Sequence, residues 1–286
     1  NIAENMFFDS EGKATEVYQD MFKGLEEIRK QGGLDYLEGQ LKVYLNQTPK
    51  DDVEVWQWAH KLLRVVSLKL RFREYEGISS AEELAQRELE ASKVHEIRHR
   101  FDQELEIFTM DTPMSERELS AKVTELVVGP VYLPLIGRVI KNAVTEAVTT
   151  PHDEADRQIF YYITRNTLEK ENKTLPLPIE ELSIVEQDND NTVVKGYDLR
   201  IVEGLKILAP ILSELRKERI QVWLETFYRD HFGREPVIGS LKERREAFQG
   251  GVTHADSPSN NSDSFDEEDL TEKDITATNS ENDLSD

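Results

Sequence analysis

His95-Glu96-Ile97-Arg98-His99 is the stretch of this chain whose residue types and spacing match a definite piece of chemistry. Two histidines four residues apart on a helix lie one turn apart on the same face. From there both rings can hold one divalent metal, and the glutamate beside the first can take a proton from metal-bound water. Two plainer readings compete with this one. The histidines could be grouped by chance on a charged helix, or they could form a proton-sensing pair, since imidazole titrates near neutrality.

The five residues resemble the motif of the zincin metallopeptidases, and the resemblance stops with them. It implies zinc as cofactor, His95 and His99 as ligands, and Glu96 as general base. The surroundings depart from that pattern. Lys93, Arg98 and Arg100 crowd the motif, no later histidine completes the longer metzincin form, and no strand pattern stands ready to line a cleft. Glu116, Glu118 or Glu125 could supply a third ligand of the glutamate type. His60 is another candidate. Helices predicted over about 50–75 and 80–108 are joined by a short turn near Gly77-Ile78, which predicts an antiparallel hairpin with residue 60 opposite residue 96.

The elements that must position these residues are helical throughout. Val17, Met21, Leu25 and Ile28 mark a first helix, which Gln31-Gly32-Gly33 stops. Leu37 and Leu41 mark a short second one. Asp51 and Asp52 suit the positive start of the long helix that follows, with Trp56, Ala59, Leu63, Val66 and Leu70 as its inner stripe. Ser80 with Glu83, and Ser115 with Glu118, read as capping boxes that open further helices. Leu126–Gly137 is twelve residues without a charge, in a chain that is 32% charged. It reads as the buried centre, where the chain turns at Gly129-Pro130 and a new helix starts near Pro134. Thr150-Pro151 starts the next helix, and Pro210 kinks or divides the helical pattern over 197–232. Only Thr192-Val193-Val194 suggests extended chain. The expected fold is all-α, with about eight to ten helices and a central antiparallel hairpin. It comprises a flexible N-terminal arm over 1–13, a helical domain over 14–249 that ends in a short helix from Leu241 to Phe248, and a disordered acidic tail over 250–286.

Composition narrows the function classes. The 286 residues carry a net charge of −22; the last 36 carry −10, leaving −12 on the rest. So acidic a body argues against general nucleic-acid binding, which needs cations to displace phosphate counterions. With no cysteine, thiolate catalysis, disulfides and Cys-based zinc sites are excluded. This favours a cytoplasmic or other reducing compartment. The chain opens on Asn1, which reads as a processed start and leaves an organelle open. The uncharged run is too short for a membrane span of roughly 20 residues, so no transmembrane segment is expected. No phosphate-binding loop, nucleophile elbow or dinucleotide fingerprint is present.

Two charged features point to partners. Residues 60–73 hold Lys61, Arg64, Lys69, Arg71 and Arg73 and no acid. These cations either pair with carboxylates of neighbouring helices or meet an acidic partner, an anionic lipid, or the chain's own tail. In the tail, Ser262 and Ser264 precede acids, as acidophilic kinases prefer, and Phe265, Leu270 and Leu284 stand among acids as docking residues would. The leading expectation is a non-enzymatic helical adaptor or regulatory protein without a cofactor, its tail modulating the binding of a protein partner. Alternatives are a zinc-dependent hydrolase built on His95, Glu96 and His99, and peripheral binding to anionic membranes through the basic face.

Overall fold

Short apolar stripes separated by glycine, proline and acidic caps produce a succession of amphipathic helices in the computed structural model. It describes residues 4–104, 107–188, 191–234 and 236. The helices are α1 (Glu4–Phe7), α2 (Glu16–Lys30), α3 (Leu34–Leu45), α4 (Asp52–Tyr75), α5 (Ala81–Glu104), α6 (Met114–Val128), α7 (Leu133–Thr145), α8 (Pro151–Lys170), α9 (Leu199–Leu212) and α10 (Lys217–Phe232). Asp51 caps α4 by accepting from the Glu54 amide, and Thr150 and Asp153 form the reciprocal cap of α8. Gly233, at φ +67°, ends α10 in the left-handed conformation. A two-stranded antiparallel hairpin pairs β1 (Val185–Asp188) with β2 (Asn191–Val194), which includes the extended triplet.

The uncharged stretch is the centre of the core. Val131, Tyr132 and Ile136 are fully buried, and α7 buries nearly its whole circumference. Each such side chain contributes about 1.5–3 kcal/mol on burial. A helix this apolar needs neighbours on several sides, and α7 packs on both α4 and α8. The α4 contact is antiparallel and very close. Gly137 lies so near Ser67 that a Cβ there would sit 2.8 Å from its Oγ and 2.9 Å from its Cα. The inner stripe of α4 is Val55, Trp58, Ala59, Leu62, Leu63, Val66 and Leu70, while Trp56 is 39% exposed.

This arrangement corrects the expected hairpin. The two long helices α4 and α5 do not pack along each other: α4 lies against α7 and α3, and α5 against α6 and α2. The antiparallel partner of α5 is α6. A short turn allows two helices to fold back on each other but does not require it, and the broad apolar face of α7 competes better for α4. The arm expected over 1–13 is also partly ordered from Glu4. Phe7 is buried, stacks on Tyr18, and its carbonyl accepts from the Thr15 amide.

The described residues through Pro236 belong to one compact unit, and none of their helices is long and apolar enough to cross a membrane. The helix expected over Leu241–Phe248 and the whole acidic tail lie outside the described residues.

Candidate metal centre

The packing of α5 on α6 brings both histidines of the motif to a carboxylate that neither helix could offer alone. His95 and His99 are one turn apart, with their Nε2 atoms 3.1 Å from each other. Glu118 reaches them from α6. Its Oε2 lies 3.3 Å from His95 Nε2, and its Oε1 lies 3.4 Å from His99 Nε2. A tetrahedral centre with bonds of about 2.0–2.1 Å holds its ligand atoms about 3.3 Å apart. The Glu118 separations end on different oxygens, so a metal shared with both rings would take one of them; the three residues form a group that could hold a metal ion.

Two further side chains complete the surroundings. Glu125, two turns along α6, places Oε2 3.3 Å from His95 Nδ1. A ligating imidazole commonly donates its second N–H to a carboxylate, which fixes the tautomer and the plane of the ring. Glu125 stands where that acceptor belongs. His152, in the first turn of α8, brings Nδ1 to 2.9 Å from Glu118 Oε2. These close approaches are charge contacts more than well-aligned hydrogen bonds. Among the described residues, the buried atoms Glu118 Oε2 and His95 Nδ1 have no hydrogen-bond partner of good geometry.

Electrostatics ties the cluster together. Burial opposes a charge on His95, but Glu118 and Glu125 outweigh it and raise the imidazole to about 9. Burial likewise opposes the charge on Glu118, and the rings of His95, His99 and His152 hold its carboxyl far below the usual range. Beside the cluster lies a cavity of about 440 Å³ with His95, Glu125 and His152 in its wall, together with Lys122, Arg138 and Asp156. Lys122 is engaged there by the Asp156 carboxylate and donates to the His152 carbonyl at 3.0 Å.

The remaining sequence candidates fall elsewhere. His60 is not part of the centre: it lies on α4, its ring 4.3 Å from Trp56, in the field of Lys141 and Glu146. It was placed near His95 by a hairpin that does not form. Glu96 is exposed and stays outside the cavity wall. Glu116 pairs with His231 at 2.7 Å. The cations that crowd the motif in sequence do not crowd it in space. Lys93 and Arg100 point to solvent, with Lys93 3.2 Å from Glu4. Arg98 is buried on the other side, held by Asp102 at 2.6 Å and by Ser120.

The basic island divides. Lys69 is buried between Glu38 at 2.5 Å and Glu214 at 2.7 Å, and Arg73 also pairs with Glu214. Lys61, Arg64 and Arg71 form no ion pair among the described residues, and Arg71 Nε is buried without a hydrogen-bond partner. Ser262, Ser264, Phe265, Leu270 and Leu284 lie outside the described residues. Sequence reasoning missed His152; a lone histidine just after Thr150-Pro151 carries no local signal of what it will face.

No protein-family model matches the chain, and neither a curated protein nor a solved structure matches it at a significant level.

Proposed function

We propose that this chain is a metal-dependent protein whose centre is held by His95 Nε2, His99 Nε2 and the Glu118 carboxylate. The observation that carries the reading is the set of 3.1–3.4 Å separations among these groups, drawn from two helices, next to a cavity. Zinc suits two imidazoles and one carboxylate, and three protein ligands leave a fourth position for water. A metal bound there would lower the pKa of that water toward neutrality, the chemistry of metal-assisted hydrolysis. Of the chain's own residues, Glu125 orients His95, and His152 stands at the cavity wall within reach of Glu118. The general-base role that the motif implies for Glu96 is a separate part of the proposal, because that side chain faces solvent.

Metal content of the purified full chain tests the reading, with a His95→Ala/His99→Ala variant beside it. About one zinc per chain, lost in the variant, is the expected result. Chains that carry no metal and take up none from added zinc would overturn it and leave a hydrogen-bonded histidine–carboxylate cluster.

A second reading, a helical adaptor that binds a protein partner and has an acidic tail open to phosphorylation, rests on a different observation. Three cations of a strongly acidic chain, Lys61, Arg64 and Arg71, form no ion pair among the described residues and share one face of α4.

A further inference from the structure

Helices α2 and α4 both rest on α3 but do not pack closely on each other. The space left between them is a groove of about 760 Å³, separate from the cavity beside the metal centre. Its apolar surface comes from Val17 and Met21 on α2, Tyr36 and Tyr44 on α3, and Leu68 on α4. Val17 is 63% exposed at the edge of the groove. Lys61, Arg64 and Arg71 stand along the α4 wall, one and then two helical turns apart. The α2 wall brings two acids to the groove against these three cations, and one of the two is paired with a cation of its own helix. Asp20 is 2.9 Å from Lys23, and Glu27 accepts from Gln31 at 2.7 Å.

We infer that this groove binds an acidic amphipathic segment of another protein, its apolar side chains on the groove floor and its carboxylates along α4. The inference rests on the adaptor reading and supplies the chemistry of its partner. Charge complementarity with this wall selects the occupant: Lys61, Arg64 and Arg71 form no ion pair among the described residues, so the wall attracts carboxylates and repels a basic segment locally, against the net −22 of the whole chain. The exposed Val17 and the partly buried Leu68 supply the apolar contacts that a purely acidic polymer would leave unused. Helix-in-groove recognition uses anchors at i, i+3, i+4 and i+7, and two helix walls on a third helix suit such a ligand.

The test uses the full chain and a fluorescein-labelled acidic peptide carrying phenylalanine and leucine at that spacing. A second peptide keeps the acids and replaces the anchors by alanine. Fluorescence anisotropy at low salt should show saturable binding of the first. It should weaken about tenfold or more for the alanine peptide, for Lys61→Glu/Arg64→Glu and for Val17→Asp, and should fall with added salt. All three substituted residues are exposed, so thermal unfolding of the variants should match the parent and show that folding is intact. No saturable binding, or binding indifferent to charge reversal, overturns the inference. In the second case the protein still binds acidic segments, so the adaptor reading survives and only the groove is lost. Absence of peptide binding together with faster proteolysis of residues 251–286 in the charge-reversed variant would assign the groove to the chain's own tail and overturn the partner.

Discussion

His95 Nδ1 lies 3.3 Å from Glu125 Oε2, while the other nitrogen of the same ring faces His99 and Glu118. One imidazole thus has a carboxylate near each nitrogen, Glu125 at Nδ1 and Glu118 at Nε2. Under the proposed metal reading, this relationship assigns the α6 carboxylates separate roles, Glu118 as ligand and Glu125 as the group that orients the ring.

Glu125→Gln should therefore weaken zinc without abolishing it, by about 10–100-fold in affinity, as loss of an outer carboxylate does. Glu118→Gln should cost more, because it removes a ligand. Competition against a chromophoric chelator measures both. Equal effects of the two variants would contradict the assignment of roles.

Glu96→Gln should leave metal content unchanged. If Glu96 is the base, any hydrolytic activity of the zinc-loaded chain should drop by about 10²–10⁴-fold. Retention of full activity would remove Glu96 from the chemistry and leave the metal centre untouched.

Metal uptake should depend on pH because a protonated ring cannot ligate. His95 is raised to about 9 in the metal-free chain, so zinc affinity should climb with pH up to about 9 and flatten above it. Potentiometric or chelator titration between pH 6 and 10 reads this directly. A flat profile would contradict the coupling of His95 to Glu118 and Glu125.

A separate pH dependence belongs to the buried Lys69. Its hydrogen bond lowers the Glu38 carboxyl; burial opposes the charge on Glu214, but Lys69 and Arg73 outweigh it and lower that group too. Groups lowered in the folded state stabilise it above their unfolded pKa, and that contribution is lost as pH falls through the folded value. Urea unfolding should thus show falling stability below about pH 4.5. Lys69→Met should flatten that fall and cost about 1–3 kcal/mol at neutral pH, the range for charged hydrogen bonds.

Gly137→Ala should destabilise by about 1–3 kcal/mol, since its Cβ would meet the Ser67 backbone, which cannot swing aside. Arg98→Met should cost about 3–5 kcal/mol by removing the closer of the two cations that face the buried Asp102 carboxylate. Chemical denaturation of both variants checks these values.

The helices were legible because their signals are local. Caps, breakers and stripes of 3.6-residue period lie within a few positions of the elements they define, as at Asp51, Thr150-Pro151 and Gly233. The largely buried character of Leu126–Gly137 was legible for the same reason, although Val128 and Pro130 come to the surface where α6 gives way to α7. Pairing between helices was not legible, because it is decided by which apolar faces compete for one another. A short turn at Gly77 suggested α4 against α5, yet Gly137 lets α7 approach Ser67 more closely than a larger residue would. With that pairing, His60 left the cluster and Glu118 entered it. Ser115-x-x-Glu118 shows the conflict in one residue. By sequence it is a capping box, but Pro113 occupies the cap position without a side-chain bond, and Glu118 turns instead to His95, His99 and His152. The sequence by itself determined the helical class, the buried centre and the two histidines at one-turn spacing. Only the tertiary structure decided what those histidines face, because their carboxylates and the third ring come from α6 and α8, whose approach depends on packing over the whole core.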